Sequence, residues 1–165
     1  MSEHIVHTIE PVFDSDSRVL ILGTMPSPKS REVGFYYGHP RNRFWKVLAL
    51  VLGESEPSSI TEKIALLHRR HIALWDVLAA CEIEGASDAS IRQPKPNNLA
   101  CIFSAAPIRA VFTTGAAAYR LYQKYQAPLT GLNAYRLPST SPANCAVSLE
   151  QLAEAYREIL LYLDR

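Results

Sequence analysis

The sequence predicts an α/β fold of three layers, in which helices cover both faces of a central, mainly parallel four-stranded sheet. Three observations lead there. Short apolar runs at 18–22, 71–77, 108–113 and 135–137 have the length of buried strands. Segments with the 3.6-residue period of amphipathic helices lie between and after them. Two long and chemically unusual loops, 23–43 and 138–144, each follow a strand, and parallel sheets bind their ligands beyond the carboxyl ends of strands.

Residues 1–17 are polar with scattered apolar positions, and Asp14 to Ser17 read as a turn. RVLIL, Arg18 to Leu22, stops at Gly23 as a central strand would. After the loop, Phe44 to Leu52 is apolar on a broad face and Gly53 offers a C-terminal stop, so a buried helix with Trp45 in the core is expected. Ser59 can cap a helix reaching Arg70, with Ile64 and Leu67 on its apolar side. HIALWDV, His71 to Val77, reads as a second strand with Asp76 as its polar end, and 81–98 as a poorly periodic second loop over the same face. A short helix at 98–105 precedes the strand IRAVFT, and Thr114 is the expected cap of a helix whose stripe is Ala118, Leu121, Tyr122 and Tyr125. Tyr135 to Leu137 is a brief strand leading into PSTSPAN. The last helix is the clearest: Ser148 and Gln151 have capping-box spacing, and Leu149, Leu152, Tyr156, Ile159, Leu160 and Leu163 form one stripe.

A chain of 165 residues, 48% hydrophobic, is long enough for one core and short for two, so a single domain over 1–165 is expected. Cys81, Cys101 and Cys145 lack the spacing of zinc or redox motifs and fit a reducing compartment as small buried hydrophobes. His68 and His71 stand three apart with no third ligand type marked nearby, so no metal and no cofactor are assigned. With no signal peptide and no apolar span of membrane length, the expectation is a cytoplasmic monomer without a membrane partner.

The formal net charge is only +1, which excludes the strongly basic type of nucleic-acid binder, but charge is unevenly placed. Lys29, Arg31, Arg41, Arg43 and Lys46 face Glu32 alone within 29–46. Cations interleaved with aromatics and an amide suit phosphate and base contact, although a solvated face is the plain alternative. Phe35 and Tyr36 read first as packing residues, and Asn42, just before a helix, first as a cap. Asn42 can also accept a hydrogen bond from water and donate one to a ring atom. Phosphate-loop and dinucleotide fingerprints are absent after Gly23, and no G-x-S-x-G elbow surrounds Ser27, Ser30, Ser139 or Ser141.

GTMPS, YYGHPRNRFWKVL and LPSTSPAN together resemble the uracil-DNA glycosylase superfamily, and above all its hypoxanthine-DNA glycosylase (DNA-deoxyinosine glycosylase) branch. HPRNRFWKVL and LPSTSPANCAVSLEQLAEAYREI are also similar to bacterial mismatch-specific uracil glycosylases, and the resemblance spans roughly 18–163. It implies a uracil-DNA glycosylase-like fold and a monofunctional enzyme of base excision repair. Such an enzyme hydrolyses the N-glycosidic bond of a deaminated base in double-stranded DNA, hypoxanthine before uracil, and associates with the nucleoid when acting. The first family motif falls on Gly23, Thr24, Met25, Pro26 and Ser27, the second on Leu137 to Asn144. Met25 stands where other branches keep an Asp or Asn for water, and Leu137 where the uracil-specific branch has a histidine. The resemblance therefore gives the catalytic role to Asn42 and base stacking to Tyr37, with Thr24 and Met25 reading the base edge through their backbone. Arg41, Arg43, Ser139, Thr140 and Ser141 are implied DNA contacts, with Pro142, Ala143 and Asn144 probing the gap left in the duplex. The alternatives are a mismatch-specific uracil or thymine glycosylase and a non-catalytic module that binds damaged DNA.

Overall fold

A computed structural model describes residues 2–163. Its centre is a parallel sheet of β2 (Val19–Gly23), β3 (Ile72–Asp76), β6 (Ala110–Thr114) and β7 (Ala134–Leu137), in the order β3-β2-β6-β7. Every residue of β2 is buried, and its side chains divide by the two-residue period of a strand. Val19 and Ile21 face one apolar cluster, Leu20 and Leu22 the other. That double burial explains a continuous apolar run rather than an alternating one.

The first cluster is closed by α2 (Phe44–Leu52), α3 (Ile60–Arg69) and α7 (Leu149–Tyr156). α2 ends where expected, with Gly53 left-handed at φ 69°, and Trp45 is a core residue whose indole N–H donates to the Tyr36 carbonyl at 3.0 Å. Phe35 packs against Trp45, and Tyr36 donates its hydroxyl to the carbonyls of Ile9 and Glu10, so both are packing residues. Capping boxes close the starts of α3 (Ser59 with Glu62) and α7 (Ser148 with Gln151). The terminal helix breaks after Tyr156 into a 3₁₀ turn, Arg157–Ile159, and a short α8 (Leu160–Leu163), yet Leu152, Tyr156, Ile159 and Leu163 remain on the buried face.

The second cluster is covered by α4 (Ala100–Phe103), α5 (Ala116–Tyr125), α6 (Ala127–Thr130) and a feature the sequence reading did not anticipate. Instead of a loop over 81–98, the chain forms an antiparallel hairpin of β4 (Leu78–Glu84) and β5 (Ser87–Pro96), and β1 (Glu3–Val6) pairs with the far edge of β4. β4 buries Leu78, Cys81 and Ile83, whereas β5 is a largely exposed edge strand carrying Pro94 and Pro96. Prolines are tolerated at such an edge because no partner needs their missing N–H. Register shifts along the pairing further blur any alternation.

Three smaller expectations are also corrected. Loop 23–43 contains a short helix, α1 (Pro28–Val33), capped by Ser27. The cap of α5 is Gly115, at φ 93° and with no side-chain hydrogen bond, because the Thr114 hydroxyl is engaged elsewhere. Only Cys81 is buried; Cys101 and Cys145 are exposed. His68 lies 3.1 Å from the carboxylate of Asp14.

Candidate active site

The strands β2, β3 and β6 end side by side at Gly23, Asp76 and Thr114, and all three residues line one cavity of about 330 Å³. Cavities of this size suit small planar ligands. The loop after β2 returns Tyr37 and Asn42 to the same cavity, and the loop after β7 adds Ser139, Ser141, Pro142 and Ala143. Both unusual loops thus meet at the carboxyl edge of the parallel sheet.

Gly23 sits where no side chain fits. A Cβ there would lie 2.5 Å from Asp76 Oδ1 and 3.1 Å from the Tyr37 hydroxyl. Its carbonyl accepts from Val77 N–H at 2.8 Å and that of Thr24 from Leu78 N–H at 3.1 Å, which pins the motif to the neighbouring strand. Among the described residues the N–H groups of Thr24 and Met25 donate to nothing, so they remain free to meet a ligand.

Tyr37 adopts φ 53°, an uncommon conformation for a bulky residue that costs about 1–3 kcal/mol unless its surroundings hold it. Two contacts do so: its ring stacks on Phe44, centroids 3.9 Å apart at 12°, and its hydroxyl meets Thr114 Oγ1 at 2.9 Å. One face of the ring is occupied by Phe44, and the residue lines the cavity. Burial, reinforced by the Asp76 charge, pushes the Tyr37 phenol well above its ordinary pKa, so it stays a neutral hydroxyl.

Asn42 is held more tightly than a cap requires. Its Oδ1 accepts from the backbone N–H of Phe44 at 2.9 Å and from Thr140 Oγ1 at 2.8 Å. A backbone N–H can only donate, so the atom facing it must be the oxygen, and the amide NH₂ is the end left for the cavity. Both lone-pair directions of Oδ1 are spent. Asn42 is therefore a donor here, rather than the acceptor for water that the sequence alone allowed.

Several residues expected on DNA serve the scaffold. The side chain of Thr140 is buried against Asn42 rather than turned outward, and the residue is 1% exposed. Arg43 reaches across to the carbonyls of Val147 (2.6 Å) and Asn144 (3.0 Å), tying the second loop to the start of α2. Asn144 donates to the Ser139 carbonyl at 2.9 Å, and the hydroxyls of Ser139 and Ser141 accept N–H groups of their own loop. Arg41 and Lys46 are exposed.

Asp76, which reads in the sequence only as the polar end of a strand, belongs to the site, and Asp88 of β5 lines the same cavity. Asp76 is 4% exposed, lines the cavity, and its Oδ2 accepts from His7 Nε2 at 2.8 Å. A carboxylate at the end of a buried strand was a usable signal; its partner, 69 positions away in sequence, left none. His39 also lines the cavity, with Nδ1 accepting from Arg41 N–H at 3.0 Å, which leaves its other ring nitrogen to carry the proton when the ring is neutral.

Strand ends, stacking ring and fixed amide define a three-layer α/β protein with a pocket suited to a planar base. The uracil DNA glycosylase superfamily model matches residues 10–163. A hypoxanthine DNA glycosylase of Methanosarcina acetivorans is 31% identical over 147 residues, 87% of this chain and 90% of that protein. One of Methanosarcina barkeri is 37% identical over 98 residues, 59% of this chain and 62% of its own length. A solution NMR structure of a Methanosarcina acetivorans protein, provisionally described as a uracil DNA glycosylase, superposes with a TM-score of 0.79 at 28% identity, covering 97% of this chain and 99% of that one. The chain belongs to the uracil DNA glycosylase superfamily and is a DNA glycosylase.

Proposed function

We propose that this chain is a monofunctional glycosylase that removes hypoxanthine from deoxyinosine in double-stranded DNA, acting as a monomer in base excision repair. The observation that carries the reading is the fixed amide of Asn42 in a cavity whose first motif offers Met25, a residue without acid-base or hydrogen-bonding capacity of use to water. The names of the Methanosarcina relatives support hypoxanthine as the base.

The base leaves the helix stack, because its glycosidic bond is out of reach inside the duplex. It enters between the free face of Tyr37 and the backbone of Gly23 to Met25. As the C1′–N9 bond breaks, its electron pair stays with the base, and the free N–H groups of Thr24 and Met25 stabilise that charge. A water oxygen, held by a hydrogen bond donated from Asn42 Nδ2, forms the new bond to C1′, and the proton it sheds balances the one the departing base takes up. Ser139, Ser141, Pro142 and Ala143 line the cavity on the side of the second loop and would meet the opened duplex, with Arg41 and Lys46 as exposed phosphate partners.

The test is direct. Duplexes carrying deoxyinosine, deoxyuridine or mismatched thymine are incubated with the protein, and abasic sites are revealed with alkali. Deoxyinosine strands should break only after alkali, since among the described residues no lysine lines the cavity to form a Schiff base. No alkali-labile product from deoxyinosine, or faster release of uracil or thymine, overturns the reading.

Thr140 supplies a second check. Thr140→Val keeps the shape of the side chain but removes one of the two donors that orient Asn42. Net loss of such a hydrogen bond is about 1 kcal/mol in stability. The expected result is a single-turnover rate roughly 5-fold lower with unchanged affinity for duplex, by the arithmetic in which 1.4 kcal/mol is tenfold.

A further inference from the structure

We infer that Asp88, beside the turn of the β4–β5 hairpin, is the general acid of the reaction and hands its proton to N7 of the departing purine; this rests on the glycosylase reading above. A pyrimidine has no such nitrogen. A purine carries it in the ring that holds the glycosidic bond, and a proton placed there lets the base leave neutral rather than as an anion.

Asp88 reaches the cavity on a fixed element. Strand pairing runs to the end of the hairpin, where Glu84 is in register with Ser87 and Gly85 turns the chain at φ 58°. The Ser90 hydroxyl braces this end, accepting from Glu84 N–H at 2.8 Å and donating to the Ser87 carbonyl at 2.6 Å. Ile83, Gly85, Ala86 and Asp88 then form one wall of the cavity. Asp88 both lines the cavity and is exposed, so it stands at the rim. The five-membered ring of a bound purine must lie there too, because N9 keeps its bond to a sugar outside.

Among the described residues Asp88 takes part in no hydrogen bond or ion pair, so its carboxyl is uncommitted. Most other titratable groups of the cavity are engaged: Asp76 with His7, the Tyr36 hydroxyl with the carbonyls of Ile9 and Glu10, the Tyr37 hydroxyl with Thr114. His39 is the remaining rival. Protein crowded around the Asp88 carboxyl, and then the charge of Asp76 in β3, hold its pKa above the ordinary carboxylate value, against the pull of Arg120 in α5. A bound base displaces more water and shifts it the same way. As C1′–N9 breaks, its electron pair stays in the ring and the Asp88 proton moves to N7, giving neutral hypoxanthine. Water forms the new bond to C1′ and sheds one proton, and the exposed carboxylate regains one from solvent.

The experiment measures single-turnover rates on deoxyinosine duplex across pH for the wild type, Asp88→Asn and His39→Gln. Above the ordinary carboxylate range the wild-type rate should fall, by about tenfold per pH unit once the acid is titrated. Asp88→Asn should be roughly 100-fold slower where the wild type is fastest, and should lack that falling limb. His39→Gln should keep the limb, whatever its rate. A duplex with 7-deaza-2′-deoxyinosine, which keeps O6 and N1–H but has carbon at position 7, should be processed by the wild type at least about 100-fold more slowly than deoxyinosine. The inference is overturned by an Asp88→Asn variant that keeps the wild-type rate, or that slows with the limb intact, as a merely structural role would have it. A His39→Gln variant without the limb overturns it too, as does a wild type that releases the 7-deaza base as fast as hypoxanthine. Should Asp88→Asn fail to fold, the 7-deaza comparison and His39→Gln decide. A wild type inactive on deoxyinosine at every pH overturns the glycosylase reading itself, which is a distinct outcome.

Discussion

Asn42→Ala should lower the single-turnover rate on deoxyinosine by about 100- to 1,000-fold, the usual effect of deleting one donor aimed at the reacting centre. Stability should fall by only about 1 kcal/mol, because what the fold loses is a cap on the Phe44 N–H and a partner for Thr140. Asn42→Asp separates the two roles. A carboxylate oxygen can still accept from Phe44 and Thr140, so thermal denaturation should match the wild type, but nothing remains to donate into the cavity. If donation holds the water, Asn42→Asp is as slow as Asn42→Ala. Should Asn42→Asp instead retain wild-type activity, the residue acts on water by accepting from it, and the geometry drawn from Oδ1 is wrong.

The same residue shows how far sequence carried and where it stopped. β2 and β3 were legible because both faces of each are covered, and such strands need continuous apolar runs. α3 and α7 were legible because helix caps are local, Ser59 as an N-cap and Ser148 with Gln151 as a capping box within four residues. β5 was not, since an exposed edge strand has no buried face to impose a pattern. In the irregular loops a polar side chain can turn either way, and its direction is set by partners far off in the chain. Thr140 and Arg43 belong to motif stretches that read as DNA contacts, yet they point to Asn42 and to the carbonyls of Asn144 and Val147, about a hundred positions away. Those distances explain why the motif stretches could be placed at one edge of the sheet while leaving open which of their side chains turn inward.

Gly23→Ala is the other variant expected to act strongly, and its effect separates packing from chemistry. The added methyl has three ways to be relieved, and each is blocked. The strand cannot slide, because Gly23 is in register with Asp76 and its carbonyl is bound by Val77. Asp76 cannot swing aside without breaking from His7, which would leave a buried carboxylate unpaired. Tyr37 cannot withdraw while its hydroxyl meets Thr114 and its ring lies on Phe44. Overpacking of this kind costs about 1–3 kcal/mol, and a displacement near 1 Å at the reacting centre costs about 100-fold in rate. Gly53→Ala is the matching control. That glycine caps α2 at φ 69° with open space around it, so alanine strains the backbone by about 1–2 kcal/mol without reaching the cavity. Two glycine-to-alanine changes should thus lower the melting temperature by comparable amounts, while only Gly23→Ala removes excision. Equal activity in the two variants would mean that Gly23 serves the strand alone, and that the close approach of Asp76 to the first motif has no part in holding the base.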